Sequence, residues 1–148
     1  MKIGLFLGSF DPFTIGHDAI VKRALPLFDR IIIGVGINEH KKYMLPTEER
    51  VARIARLYAN DERIEVKAYS DLAVAFAHRV QATYIIKGVR SIKDFEYERE
   101  QAEINKRIGG VETVLLVADP DVACISSSMV RELSHFGHNV DEFLPKGY

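Results

Sequence analysis

The chain has 148 residues, 47% apolar and 28% charged, which suits one ordinary globular domain with a real core. Twenty basic residues against 21 acidic ones give a net charge of −1, so no broad basic face is available to grip a nucleic acid. The single cysteine, Cys124, excludes an internal disulfide, and the apolar run at residues 3–7 is too short for a signal peptide or a membrane span. The expected location is the cytoplasm.

Residues 3–7 form an apolar run bounded by glycine, the pattern of a strand buried on both faces. Residues 31–35, 83–86 and 113–117 repeat that pattern, whereas Ile64-Glu65-Val66 alternates and predicts a weaker strand near an edge. Helical spacing fills the intervals. Ile20, Val21, Ala24, Leu25 and Phe28 make an apolar stripe that Pro26 should bend or shorten. A second helix opens at Pro46-Thr47-Glu48-Glu49 with Thr47 as its capping hydroxyl, and Val51, Ile54, Ala55 and Tyr58 form its buried face. Leu72, Ala75, Phe76 and Val80 mark a third helix, residues 95–108 a fourth and unusually charged one, and residues 127–136 a fifth ending at Gly137. Strand and helix thus alternate about five times with no repeat or linker. The expectation is a single α/β domain over residues 1–148, a doubly wound, Rossmann-like five-stranded parallel sheet whose ligands lie beyond the carboxyl ends of the strands.

Residues 8–17 leave the first strand and enter the first helix. Gly8 and Gly16 permit close backbone approach, Pro12 stiffens the turn, and the helix start offers unpaired N–H groups to a phosphate. His17 can aim a ring N–H at the same place. Read without further context, a tight turn with a half-buried histidine explains the pattern equally well.

The segment Gly8-Ser-Phe-Asp-Pro-Phe-Thr-Ile-Gly-His17 resembles the (H/T)xGH motif of the nucleotidylyltransferase superfamily, and is most similar to that of the phosphopantetheine adenylyltransferases. Three further segments resemble that family: the lysine-bearing loop at residues 38–42, the block Ile86-Lys87-Gly88-Val89-Arg90 followed by Asp94-Phe95-Glu96-Tyr97-Glu98, and Ile125-Ser126-Ser127-Ser128 followed by Val130-Arg131-Glu132. Lys87 stands where the family usually carries arginine, which keeps the charge and loses the bidentate fork.

The resemblance implies transfer of AMP from ATP to 4′-phosphopantetheine, giving dephospho-coenzyme A and pyrophosphate by positioning and electrostatics, with no covalent enzyme intermediate. It makes His17 and Lys41 the catalytic residues, with Lys42 the rival to Lys41. It puts Ser9, Lys41, Ala73 and Lys87 at the substrate, and Ser9, Phe10, His17, Gly88, Val89, Arg90, Glu98, Val122, Ala123, Cys124, Ile125, Ser126, Ser127 and Ser128 at ATP. Mg²⁺ is expected to arrive with ATP, and no residues are assigned to a metal. Assembly as a homohexamer is implied too; the charged fourth helix is otherwise a solvated face with i,i+4 pairs, and Cys124 an inert buried thiol. Two other outcomes remain: a sister enzyme acting on nicotinamide mononucleotide or using CTP, and a non-catalytic nucleotide-binding module.

Overall fold

A computed structural model describes all of residues 1–148. Five strands, β1 (Ile3–Gly8), β2 (Arg30–Gly36), β3 (Ile64–Tyr69), β4 (Tyr84–Val89) and β5 (Glu112–Val117), alternate with five helices, α1 (Ile15–Ala24), α2 (Thr47–Leu57), α3 (Ala73–Arg79), α4 (Ile92–Gly109) and α5 (Ser127–His135). All neighbouring strands pair in parallel in the order β3-β2-β1-β4-β5. The connections run outward from β1 in one direction through β2 and β3, then return past it to β4 and β5. The switch point falls between β1 and β4, where a doubly wound sheet opens a crevice for ligands.

Side-chain alternation along β1 divides the core in two. Phe6 joins Ile31, Ile33, Val35 and Ile86 beneath Ile20, Val21 and Ala24 of α1 and Ile54 of α2. Leu5 and Leu7 point the other way, joining Ile32, Ile85 and Val111 beneath Val74, Phe76 and Ala77 of α3. β1, β2 and β4 are therefore covered on both faces, as their unbroken apolar runs require.

Several boundaries differ from the sequence expectation for identifiable reasons. α1 ends at Ala24, and Leu25–Leu27 tightens into a 3₁₀ turn around Pro26. β5 is an edge strand, half-exposed rather than buried on both faces, with Val117 69% exposed; an apolar run does not reveal whether a neighbour covers it. Thr47 does not cap α2. Pro46 takes the cap position without a side-chain bond, and the Thr47 hydroxyl turns to Arg50 instead. α4 begins three residues earlier than expected because the Ser91 hydroxyl accepts the Asp94 N–H and caps it there. It carries an i,i+4 pair of the expected kind, Arg99–Glu103, but also exposes Ile92, Phe95, Tyr97, Ile104 and Ile108, so its outer surface is not a purely solvated charged face. Cys124 is exposed rather than buried.

Candidate active site

The turn between β1 and α1 is built from apolar side chains folded back on themselves. Phe10 and Phe13 are buried, and Phe10 sits at φ 50°, a left-handed conformation unfavourable for an aromatic residue. Packing holds it there: its ring lies 5.3 Å from Phe6, 5.3 Å from Phe13 and 5.0 Å from the His17 imidazole. Gly8 makes room, since a Cβ there would stand 2.9 Å from the Phe10 ring. The Asp11–Pro12 peptide in this turn is cis.

His17 occupies a reciprocal cap. Its backbone N–H donates to the Thr14 hydroxyl, while the Thr14 backbone N–H donates to His17 Nδ1 at 3.0 Å. A backbone N–H is always the donor, so Nδ1 must accept, and the proton of the neutral ring sits on Nε2. The enclosing phenylalanines, and secondarily the Arg90 cation, push its pKa down from 6.5 to about 4. His17 is thereby a neutral imidazole with one fixed donor, the form needed to meet negative charge without itself being acidic.

The turn is tied to two distant helices, α2 and α5, through three of its own backbone oxygens. Arg50 of α2 donates to the Ser9 carbonyl at 2.6 Å, Arg131 of α5 to the Asp11 carbonyl at 2.7 Å, and the Ser127 hydroxyl to the Pro12 carbonyl at 2.7 Å. The buried Asp11 carboxylate accepts the N–H groups of Met44 and Leu45 at 2.7 and 2.9 Å. At the helix end, Asp18 accepts a hydrogen bond from Tyr58 at 2.5 Å. Ser127 and Arg131 fall in a segment that stands out in the sequence; Arg50 does not. Arg50 reads there as an ordinary helix charge, although it is fully buried.

Two clefts open at the carboxyl ends of the strands. The larger, about 800 Å³, lies against β1, β2 and α3 and is lined by Ser9, Lys41, Ala73 and Lys87, together with Tyr69, Tyr97 and Asn105. The smaller, about 330 Å³, lies against α1, β4 and the start of α5. Ser9, Phe10, His17, Gly88, Arg90, Glu98, Val122, Ile125, Ser126, Ser127 and Ser128 line it. Both volumes are those of small-molecule sites. Leu7, Gly8, Ser9, Lys41 and Lys87 line both clefts and so form a common wall.

Of the residues expected at the site, Val89, Ala123, Cys124 and the rival Lys42 line neither cleft. Val89 turns into the core at 7% exposure. The three consecutive serines divide their labour. The Ser126 hydroxyl caps α5 by accepting the Met129 N–H, Ser127 is committed to Pro12, and the Ser128 hydroxyl accepts from Arg131 at 3.2 Å. Only the Ser127 hydroxyl spends its proton; the Ser126 and Ser128 hydroxyls accept and keep theirs, so those two O–H groups and the unpaired backbone N–H groups at the start of α5 are the donors left free. The amino-terminal ends of α1 and α5 approach closely: a Cβ on Gly16 would lie 3.5 Å from the Ile125 carbonyl. Two positive dipole ends thus converge on the smaller cleft.

Charged groups on β4 and α4 complete it. Lys87 Nζ stands 3.5 Å from Glu98 Oε2, which is buried and makes no hydrogen bond. Arg90 pairs with Asp94 at 3.4 Å at the rim.

Residues 5–133 match the family model described as cytidylyltransferase-like. A phosphopantetheine adenylyltransferase of Phocaeicola vulgatus is 50% identical over 147 residues, 99% of this chain and 97% of the relative. Another, from Porphyromonas gingivalis, is 50% identical over 99% of this chain and 96% of its own. Among solved structures, a nicotinate-nucleotide adenylyltransferase from Vibrio parahaemolyticus superposes with a TM-score of 0.69 at 18% identity, covering 99% of this chain and 96% of that one. A bifunctional NMN adenylyltransferase/ADP ribose pyrophosphatase from Francisella tularensis gives 0.72 at 13% identity over 97% of this chain and 44% of that one. At such identities these structures establish the shared fold alone.

Proposed function

The chain belongs to the phosphopantetheine adenylyltransferase family, and from that premise we propose that it transfers the adenylyl group of ATP to 4′-phosphopantetheine. The observation that carries this reading is the common wall. Two small-molecule clefts meeting at Ser9, Lys41 and Lys87 suit a reaction in which two phosphorylated molecules are held phosphate to phosphate.

ATP takes the smaller cleft and phosphopantetheine the larger. An oxygen of the 4′-phosphate forms a bond to the α-phosphorus as the bond from that phosphorus to the bridging oxygen breaks, and its electron pair leaves with pyrophosphate. The nucleophile is already ionised, so no side chain has to remove a proton. The protein orients the two phosphates and offsets their repulsion. His17 Nε2–H donates to the α-phosphate, Lys41 and Lys87 neutralise charge along the wall, and the N–H groups of α1 and α5 receive the remaining oxygens.

Magnesium arrives on the ATP phosphates in this scheme. Glu98 is the one carboxylate lining the smaller cleft and faces Lys87, and no three His, Cys, Asp or Glu side chains gather around a cation-sized space. The residues do not fit a protein-held ion, and no step runs through one. The reading also puts the enzyme in the cytoplasm, where an exposed thiol such as Cys124 stays reduced. No helix of the structure is long and apolar enough to cross a membrane. Assembly as a hexamer is part of the proposal; the apolar residues exposed along α4 support an interface there.

Pyrophosphate release tests the central claim, with ATP plus phosphopantetheine, ATP plus nicotinamide mononucleotide, and CTP plus glycerol 3-phosphate as the pairs compared. Turnover is expected with the first pair. Silence there, with turnover of another pair, moves the protein to a sister activity; silence with all three leaves a binding module.

A further inference from the structure

The loop from residue 37 to residue 46 carries Lys41 and has no regular secondary structure, yet Lys41 lines both clefts. Beneath it lies Arg50, fully buried, with no carboxylate within ion-pair distance. Burying an unpaired guanidinium is costly, and only well-placed acceptors make it tolerable. Here the acceptors mark out the loop. Nη1 donates to the Gly36 carbonyl at the loop's entry (3.2 Å) and to the Ser9 carbonyl on the common wall (2.6 Å). Nε donates to the Leu45 carbonyl at its exit (3.1 Å), and Nη2 to the Thr47 hydroxyl (2.9 Å). The Tyr43 ring covers the guanidinium at 3.9 Å, and the Tyr43 hydroxyl accepts the Asn38 N–H at 2.8 Å.

We infer that Arg50 is a positioning residue that clasps both ends of the 37–46 loop to the Ser9 wall and thereby sets where Lys41 is delivered. Only a planar fork with several donors spans these carbonyls at once; a point charge does not. The residue never touches the substrates and acts through Lys41. The kinetic arm of the test rests on the assignment of Lys41 made above, whereas the exchange arm does not.

The experiment compares wild type, Arg50→Lys, Thr47→Val, Lys41→Ala and the Arg50→Lys/Lys41→Ala double variant. Amide hydrogen exchange reads the clasp directly. In Arg50→Lys, exchange at Lys41, Met44 and Leu45 should quicken at least about tenfold while the amides of β1 and β4 keep their rates, the signature of local opening. Unchanged exchange in the loop overturns the inference whatever the enzyme's substrate. In the kinetic arm, Arg50→Lys should lower kcat on the order of 10- to 100-fold, the scale expected for a displaced catalytic group. It should also raise KM for phosphopantetheine more than for ATP. If Arg50 acts through Lys41, adding Lys41→Ala to Arg50→Lys costs little more; multiplicative losses refute the linkage and leave the role of Lys41 intact. Wild-type turnover in Lys41→Ala alone removes Lys41 from the chemistry and overturns the delivery role, while the exchange arm still judges the clasp. Should Arg50→Lys fail to fold, Thr47→Val deletes one acceptor without changing charge. It should quicken the same three amides by a smaller factor, and no quickening there overturns the inference.

Discussion

The neutral state of His17 has a measurable thermodynamic signature. In the unfolded chain its imidazole titrates near 6.5; in the folded protein the surrounding phenylalanines hold it at about 4. Between those values the unfolded state binds a proton that the folded state refuses, so protons favour unfolding. The stability supplied by the neutral ring is fully present above pH 6.5, declines as pH falls toward about 4, and levels off below it. The gap corresponds to about 3 kcal/mol. Urea unfolding followed by circular dichroism at fixed protein concentration, from pH 7.5 to 4, supplies the measurement; the chain contains no tryptophan. Other groups titrate in the same range, so the comparison is with His17→Gln, whose amide neither gains nor loses a proton. Wild type should lose about 3 kcal/mol more than the variant across that window. Parallel curves for the two proteins, or an NMR titration of the His17 ring near 6.5, would refute the reasoning.

Gly8→Ala places a methyl carbon 2.9 Å from the Phe10 ring and pushes that ring toward His17; thermal unfolding should show a loss of about 1–3 kcal/mol, with a parallel fall in kcat. Thr14→Ala deletes the hydroxyl that accepts the His17 N–H, and denaturant unfolding should register about 1 kcal/mol. Lys87→Met removes positive charge from the common wall and strands the buried Glu98 oxygen. Initial rates should then show kcat/KM down on the order of 100-fold for both substrates, whereas a change confined to one places Lys87 in a single cleft. Tyr58→Phe leaves Asp18 without its phenol donor; melting temperature should drop with a loss of about 1 kcal/mol while kcat stays within a factor of a few.

How far the sequence reaches can be judged residue by residue. The glycines and histidine of the first turn and the alternation of five strands with five helices follow from local signals: apolar runs, helical stripes, a motif. Arg50 did not, because Glu48-Glu49-Arg50 has the composition of any solvated helix start and its acceptors lie on residues 9, 36 and 45, brought together only by the tertiary fold. The start of α4 was hidden for the opposite reason. Its cap, Ser91, is in plain view, but the apolar periodicity that draws attention begins later, at Phe95. The serines of residues 126–128 were legible as a helix start yet not as three separate hydrogen-bonding tasks, since the partners of Ser127 and Ser128 lie on Pro12 and Arg131. The edge position of β5 depends on what lies beside it, which its own residues do not encode.

The direction of β1 has a practical corollary. Its six residues run from Ile3 to Gly8, and the candidate site groups gather at and beyond the far end. At about 3.3 Å per residue, Met1 stands roughly 20 Å away on the opposite rim of the sheet, and it is 86% exposed. A fluorophore or surface tether joined to the amino terminus would therefore follow unfolding and self-association from the quiet side of the molecule, leaving the transfer of the adenylyl group undisturbed.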